Sequence, residues 1–310
     1  MILNKNLYRY KLFVSISNMP NCTHVYLTSC KTNPQPPGLG DFLRGTIALF
    51  YLTESTGYTL SIDYNSHPIF SFLKFGNHYT VNNQDTEIHE CIYPISYPDI
   101  IDNLCALFQR NTSFSVLTNS FYATDSSGNF LMYAKLSENS KKFMRKLLTP
   151  SDMIECVLSN VYADLGVNLV KGYKVIHLRL GDIFIHNDVY DENVATKISD
   201  KFKHIIMSRN ITDTCVLLTD SASIGRKISK LCPQIVYWDN NKIHTGDLKN
   251  KAIHGLRDTV IDMVIMSRAN EILTFTSSSV PSSFCTIPAV TFDVPIVELF
   301  LEPIVFGTNI

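Results

Sequence analysis

From about residue 170 to the C-terminus, runs that suit strands alternate strictly with runs that suit helices, and that rhythm admits few folds. Strands are expected at Tyr173–Leu180, Thr214–Thr219, Gln234–Trp238, Glu271–Thr276 and Ala289–Phe292. Between them the pattern predicts helices near Glu192–Ser208, Ala222–Leu231 and His254–Ser267, and a short one near Pro281–Ile287. A sustained strand–helix–strand repeat means an α/β fold with a parallel, doubly wound sheet. In the His254 helix, Leu256, Val260, Met263 and Val264 recur at helical spacing, so one face packs inward. Its Asp258 and Asp262 lie one turn apart on another face. The polar stretch Asp239–Lys251 is expected to be a loop long enough to act as a mobile lid.

The first half holds one clear unit of the same kind. A strand around His24–Ser29 leads into the Pro-rich turn Asn33–Gly40, then a helix from about Asp41 to Thr56, capped by Gly57. The chain returns as a strand at Thr59–Asp63. From Ser66 to Thr149 the pattern blurs, and helices near Ser137–Leu148 and Ser151–Leu165 lead into the second half. A domain boundary near residue 150 gives an N-terminal domain of 1–150 and a C-terminal domain of 151–310. The apolar tail Pro295–Val305 is expected to pack as a helix.

Composition removes several classes of function. The 310 residues carry a net charge of -1 without a basic block, whereas affinity for a nucleic-acid backbone needs several clustered cations. No apolar run reaches the ~20 residues needed to span a bilayer. The eight Cys stand singly, without a CxxC or a Cys/His cluster, a pattern of neither a zinc site nor a small disulfide scaffold. The first 19 residues lack the order of a signal peptide, so a cytoplasmic, reducing setting is expected.

The segment Val175-Ile-His-Leu-Arg-Leu-Gly-Asp182 carries the chemistry. His177 and Arg179 leave one strand face close to its carboxyl end, the edge beyond which open α/β sheets bind ligands. There a guanidinium offers a planar fork to phosphate. An internal salt bridge to Asp182 or another carboxylate suits the same arginine. Two further segments could meet a phosphate. Gly38-Leu-Gly-Asp41 lies between a strand and a helix, where glycines allow close backbone approach, although a tight turn with Asp41 as N-cap explains it equally. Thr276-Ser-Ser-Ser-Val-Pro-Ser-Ser-Phe284 places five Ser and one Thr at a helix start, more hydroxyls than one cap needs. Asp220 ends a strand at the same edge, where it can touch a ribose or cap the following helix. No Asp-x-Asp occurs in such a place, which argues against a metal-bridged diphosphate.

Together these segments resemble the fucosyltransferase superfamily, the α-1,2-, α-1,6- and protein O-fucosyltransferases and the rhizobial nodulation enzymes, in soluble bacterial or viral form. His177-Leu-Arg-Leu-Gly-Asp182 looks like their His-x-Arg motif. Gly38-Leu-Gly-Asp41 and the following helix and strand to Ile62-Asp63 are similar to the start of the rhizobial nodulation and α-1,6 enzymes. Asp262 through Ser278 resembles a third motif, a helix carrying Asp, then a strand, then a Ser/Thr-rich turn. The resemblance covers most of the chain except about Ser66–Thr149.

The resemblance implies a GT-B-like fold of two Rossmann-type domains facing a cleft, with acceptor in the first and GDP-fucose in the second. It implies inverting transfer to a hydroxyl of a glycan or glycoprotein, without metal or other cofactor. Arg179 would bind the β-phosphate and stabilise departing GDP, and His177 with Asp258 or Asp262 would hold the nucleoside. Ser277, Ser278 and Ser279 would hydrogen-bond the pyrophosphate, with Gly38 and Gly40 nearby. The chemistry itself asks for a base to deprotonate the acceptor hydroxyl, and Asp41 and Asp182 are the candidates. One departure bears on linkage and donor: many relatives carry a second Arg where this chain has Leu180. Transfer from another nucleotide sugar, such as GDP-rhamnose or UDP-xylose, and a non-catalytic nucleotide- or glycan-binding protein are the alternatives.

Overall fold

The computed structural model describes residues 19–26, 38–74, 88–91, 97–110, 112–118, 136–181, 192–241, 245, 253–276 and 282–300. Two wholly parallel sheets organise them. The first contains β1 (Asn21–Val25), β2 (Thr59–Asp63), β3 (Ile88–Cys91) and β4 (Phe114–Thr118), in the order β2-β1-β4-β3. The second contains β5 (Lys174–Arg179), β6 (Cys215–Thr219), β7 (Ile235–Tyr237), β8 (Glu271–Thr276) and β9 (Ile296–Phe300), in the order β7-β6-β5-β8-β9. The helices are α1 (Leu39–Thr56), α2 (Tyr97–Gln109), α3 (Glu138–Leu147), α4 (Asp152–Asp164), α5 (Glu192–Ser208), α6 (Ala222–Leu231), α7 (Ile253–Ser267) and α8 (Ser283–Phe292). The fold class is therefore α/β with parallel sheets, and the second sheet is the one the alternation predicts.

The second sheet is buried on both faces, and its sequence shows why. Ile176 and Leu178 of β5, with Leu180 just beyond it, join one core cluster with Ile198 and Phe202 of α5 and Ile224 and Ile228 of α6. Val175, one pleat out of phase, joins the other cluster with Val260 and Val264 of α7 and Ile287 of α8. That second cluster continues through Phe42 and Ile47 of α1 and Phe70 of the 3-10 turn Pro68–Phe72, so one core runs from the first half of the chain into the second. Burying one such large apolar side chain contributes about 1.5–3 kcal/mol. The halves are also tied at the surface. Lys141 and Arg145 of α3 both pair with Asp293, which ends α8 in the left-handed conformation (φ 58), and Arg145 Nε donates to the Thr291 carbonyl at 2.8 Å.

Four expectations need correction. Ala289–Phe292 is the last turn of α8, not a strand, because this helix is buried nearly all round and carries no amphipathic stripe to announce it. The strand comes after it: Ile296–Phe300 is β9, within the tail expected to be helical, and it pairs with β8 along its length. β1 begins at Asn21, three residues before the expected start. The blurred middle contains β3, α2 and β4, elements the pattern does not announce. The Gly57 cap is present as expected, with φ 77.

Candidate functional site

The order β7-β6-β5-β8-β9 reverses direction at β5, where the chain first winds outward through β6 and β7 and then returns on the other side as β8 and β9. Such a switch point opens a crevice at the carboxyl edge, between β5 and β8. β5 ends there in Arg179, opposite Thr276, the last residue of β8. On the other flank the register pairs Leu178 with Thr219, so the next residues outward, Arg179 and Asp220, leave adjacent strands side by side. Arg179 Nη1 donates to Asp220 Oδ2 at 2.9 Å. The same carboxylate accepts the backbone N–H of Leu180 at 3.0 Å and of Gly181 at 2.8 Å. Gly181 has φ 127, a conformation that favours glycine and turns its N–H inward.

The carboxylate lies behind the cation. The Asp220 side chain is 5% exposed and that of Arg179 30%. Burial pushes the Asp220 carboxyl above the usual range, while Arg179 and the two N–H groups pull it back. Asp220 does not cap the next helix, since Ser221 is the N-cap of α6 and its hydroxyl accepts from Ile224 N–H.

His177 lies deeper, 5% exposed, with Nδ1 3.5 Å from Thr274 Oγ1 and its ring 6.1 Å from that of Phe284. Leu180 is 7% exposed and belongs to the core cluster on the opposite face of β5, away from Arg179. Asp182, Ser277, Ser278 and Ser279 lie outside the described residues.

Over this edge two helix N-termini meet. α1 starts at Leu39, with Gly38 as N-cap, its carbonyl accepting from Asp41 and Phe42. Asp41 is thus in the first turn of α1 and is not its N-cap, and it pairs with Arg44 at 3.4 Å. α8 starts at Ser283, whose turn is closed by the Ser282 carbonyl. A Cβ on Gly40 would stand 3.0 Å from Phe284 N and 3.1 Å from Ser283 Cβ. The glycine therefore lets α1 and α8 approach each other, a structural cause for its presence that the sequence leaves hidden. Each N-terminus carries about half a positive charge.

The aspartates of α7 hold the chain that leaves β7. Asp258 is 2% exposed, and its Oδ2 accepts both N–H and Nδ2 of Asn241, while Oδ1 is ion-paired to Arg257. Half-buried Asp262 accepts Asn240 Nδ2 at 3.0 Å. Farther along, Thr245 is buried against the first half of the chain. Its Oγ1 meets the Leu39 N–H at 2.7 Å and the Tyr26 hydroxyl at 3.2 Å, and its carbonyl meets His67 Nε2 at 2.8 Å. Tyr26 and His67 stack face to face, 4.1 Å between ring centroids. Nothing in the sequence singles out Thr245, Tyr26 or His67, because their contacts span up to 219 residues.

No protein-family model matches the sequence, and no curated protein matches it. Solved structures do match the fold. NodZ alpha-1,6-fucosyltransferase co-crystallized with GDP superposes with a TM-score of 0.51 at 17% identity, over 92% of this chain and 96% of that one. The selenomethionine form of NodZ from Bradyrhizobium gives 0.51 at 16% identity, with the same coverage. The fold is that of the GT-B fucosyltransferases. An Arg-to-Lys mutant of Arabidopsis thaliana FUT1 in complex with GDP also gives 0.51, at 11% identity over 92% of this chain and 71% of that one. In this fucosyltransferase-like fold, the carboxyl edge of β5 and the paired N-termini of α1 and α8 lie where an α/β sheet takes its ligand. Among the described residues no helix is long and apolar enough to cross a membrane.

Proposed function

We propose that this chain is an inverting, metal-independent glycosyltransferase that moves fucose from GDP-fucose to a hydroxyl of a glycan or glycoprotein. The observation that carries this is the guanidinium of Arg179, held at the switch point of the second sheet by a carboxylate behind it. When the sugar departs, negative charge grows on the diphosphate, and a preorganised cation stabilises it without reorganising. The N–H groups at the start of α8 and the hydroxyls of Ser277, Ser278 and Ser279 add donors to the same anion. Asp262 and His177 hold the nucleoside, and Asp258, whose oxygens already serve Asn241 and Arg257, holds the fold. The first half of the chain, to about residue 150, takes the acceptor, with Asp41 or Asp182 as base. Asp41 stands in the first turn of α1, its side chain 41% exposed.

The Arg179–Asp220 pair also suits a protein that binds a nucleotide without turning it over, and one experiment separates the two. Calorimetric titration with GDP and UDP, followed by release of labelled sugar from GDP-fucose, GDP-rhamnose and UDP-xylose with and without EDTA, reads donor, turnover and metal. Preference for GDP with EDTA-insensitive release of fucose supports the proposal. Binding without release supports the non-catalytic alternative, and preference for UDP removes GDP-fucose as donor.

A further inference from the structure

We propose that Asp220 is the positioning residue of Arg179: its carboxylate, itself anchored by the Leu180–Gly181 turn, fixes the guanidinium in the attitude that meets the leaving diphosphate. The inference rests on the fucosyltransferase reading above, and its geometry stands apart from it.

Three donors from one short stretch of chain converge on this carboxylate, Arg179 Nη1 and the N–H groups of Leu180 and Gly181. Those two N–H groups follow the last residue of β5, and the Asp220 side chain takes the place of a further strand partner. Asp220 is thus a clamp on the end of β5. Register gives it that position, since pairing of Leu178 with Thr219 sets Arg179 and Asp220 abreast. The order of exposure decides the direction in which the clamp acts. A carboxylate 5% exposed beneath a guanidinium 30% exposed cannot itself be the surface that meets ligand, whereas the cation in front of it can. An arginine on an unrestrained stem loses rotamer entropy each time it engages a ligand, and one already held by a charge-assisted bond loses less.

The test compares wild type with Asp220→Asn, Arg179→Ala and the double variant. Asn keeps the volume of Asp, but it has one acceptor oxygen and turns an NH2 group toward donors. With fucose release from GDP-fucose as readout, Asp220→Asn should lower kcat on the order of 10²-fold, the scale of a misplaced catalytic group. In the Arg179→Ala background the same change should cost nothing further, because the residue acts through Arg179. Amide hydrogen exchange at Leu180 and Gly181 should accelerate in Asp220→Asn. Wild-type kcat in a folded Asp220→Asn protein, or an equal loss in both backgrounds, overturns the proposal. If wild type releases no fucose, the fucosyltransferase reading fails, and Asp220 is then judged on exchange and on urea denaturation of the four proteins. Unchanged exchange, or additive stability losses between Asp220→Asn and Arg179→Ala, overturns the clamp in that case too.

Discussion

The hydroxyl of Thr245 accepts a 2.7 Å hydrogen bond from the backbone N–H of Leu39, a residue 206 positions earlier. The first N–H groups of a helix have no intrahelical acceptor, and the α1 cap, Gly38, has no side chain to supply one. α1 is therefore capped from the other half of the chain. Thr245→Val keeps the shape and removes the acceptor on which Leu39 N–H and the Tyr26 hydroxyl converge. Removing one partner of a buried donor costs about 1–3 kcal/mol, so the urea midpoint should fall accordingly, and Thr245→Ser should recover most of it. A midpoint for Thr245→Val equal to wild type would show the cap to be energetically idle.

The same contact makes stability depend on pH through His67. Its Nδ1 accepts Ile69 N–H at 3.1 Å, so the ring proton sits on Nε2 and points at the Thr245 carbonyl. Burial pulls the imidazole down from 6.5 to about 4. Between those values the unfolded chain takes up a proton that the folded chain refuses, so stability falls as pH falls. The contribution is complete above pH 6.5 and is lost by about pH 4, in total about 3 kcal/mol for a shift of this size. His67→Asn keeps an acceptor for Ile69 N–H but does not titrate. Urea midpoints measured at pH 7 and pH 4.5 should differ less for that variant than for wild type, and equal differences would remove His67 as the source.

Much of this was legible in the sequence, and what was hidden was hidden for particular reasons. β5, β6 and β8 are runs of buried apolar residues between turns, and Arg179 at the end of β5 follows from period and termination alone. α8 is not legible as a helix because an element buried nearly all round, with Pro288 inside it, shows no periodic stripe. For the partner of Arg179 the sequence offers Asp182 or another carboxylate. Asp220 supplies it, and strand register, which the sequence does not display, selects it. The cause of Gly40 is the proximity of Phe284, 244 residues away, and no local pattern carries that information.

That proximity gives a third expectation. In Gly40→Ala a Cβ stands 3.0 Å from Phe284 N and 3.1 Å from Ser283 Cβ, so α1 or α8 must shift by a few tenths of an ångström. Overpacking of this kind costs about 1–3 kcal/mol, and Gly40→Val should cost more than Gly40→Ala. The thermal midpoint should drop in that order. Weaker GDP binding at unchanged stability would show instead that Gly40 matters for the ligand and not for helix contact.

The two aspartates of α7 should separate by phenotype. Asp258→Asn removes half of an ion pair in which the carboxylate is 2% exposed and strains the two bonds to Asn241, so stability should fall by several kcal/mol. Asp262 bonds Asn240 at a half-buried position. Asp262→Asn should leave the thermal midpoint close to wild type and weaken GDP binding by about tenfold, the loss of roughly one charge-assisted hydrogen bond. Calorimetric titration of both variants reads the difference. The reverse pattern, with GDP binding lost at Asp258 alone, would exchange their roles.

Arg179 carries the strongest expectation. Arg179→Ala removes the Nη1 hydrogen bond to Asp220, yet Asp220 keeps the N–H groups of Leu180 and Gly181, so the protein should fold. Fucose release should drop on the order of 10²-fold or more, the scale of losing one group that stabilises developing charge. Arg179→Lys should fall between the two, because an ammonium keeps the charge but not the planar fork that spans a carboxylate and a phosphate together. The intermediate value separates mechanism from packing. If the fork matters, Lys behaves nearer to Ala in kcat while matching wild type in stability. If Arg179 serves only the ion pair with Asp220, Lys restores whatever Ala loses, both variants turn over donor like wild type, and the site of charge stabilisation lies elsewhere in the cleft.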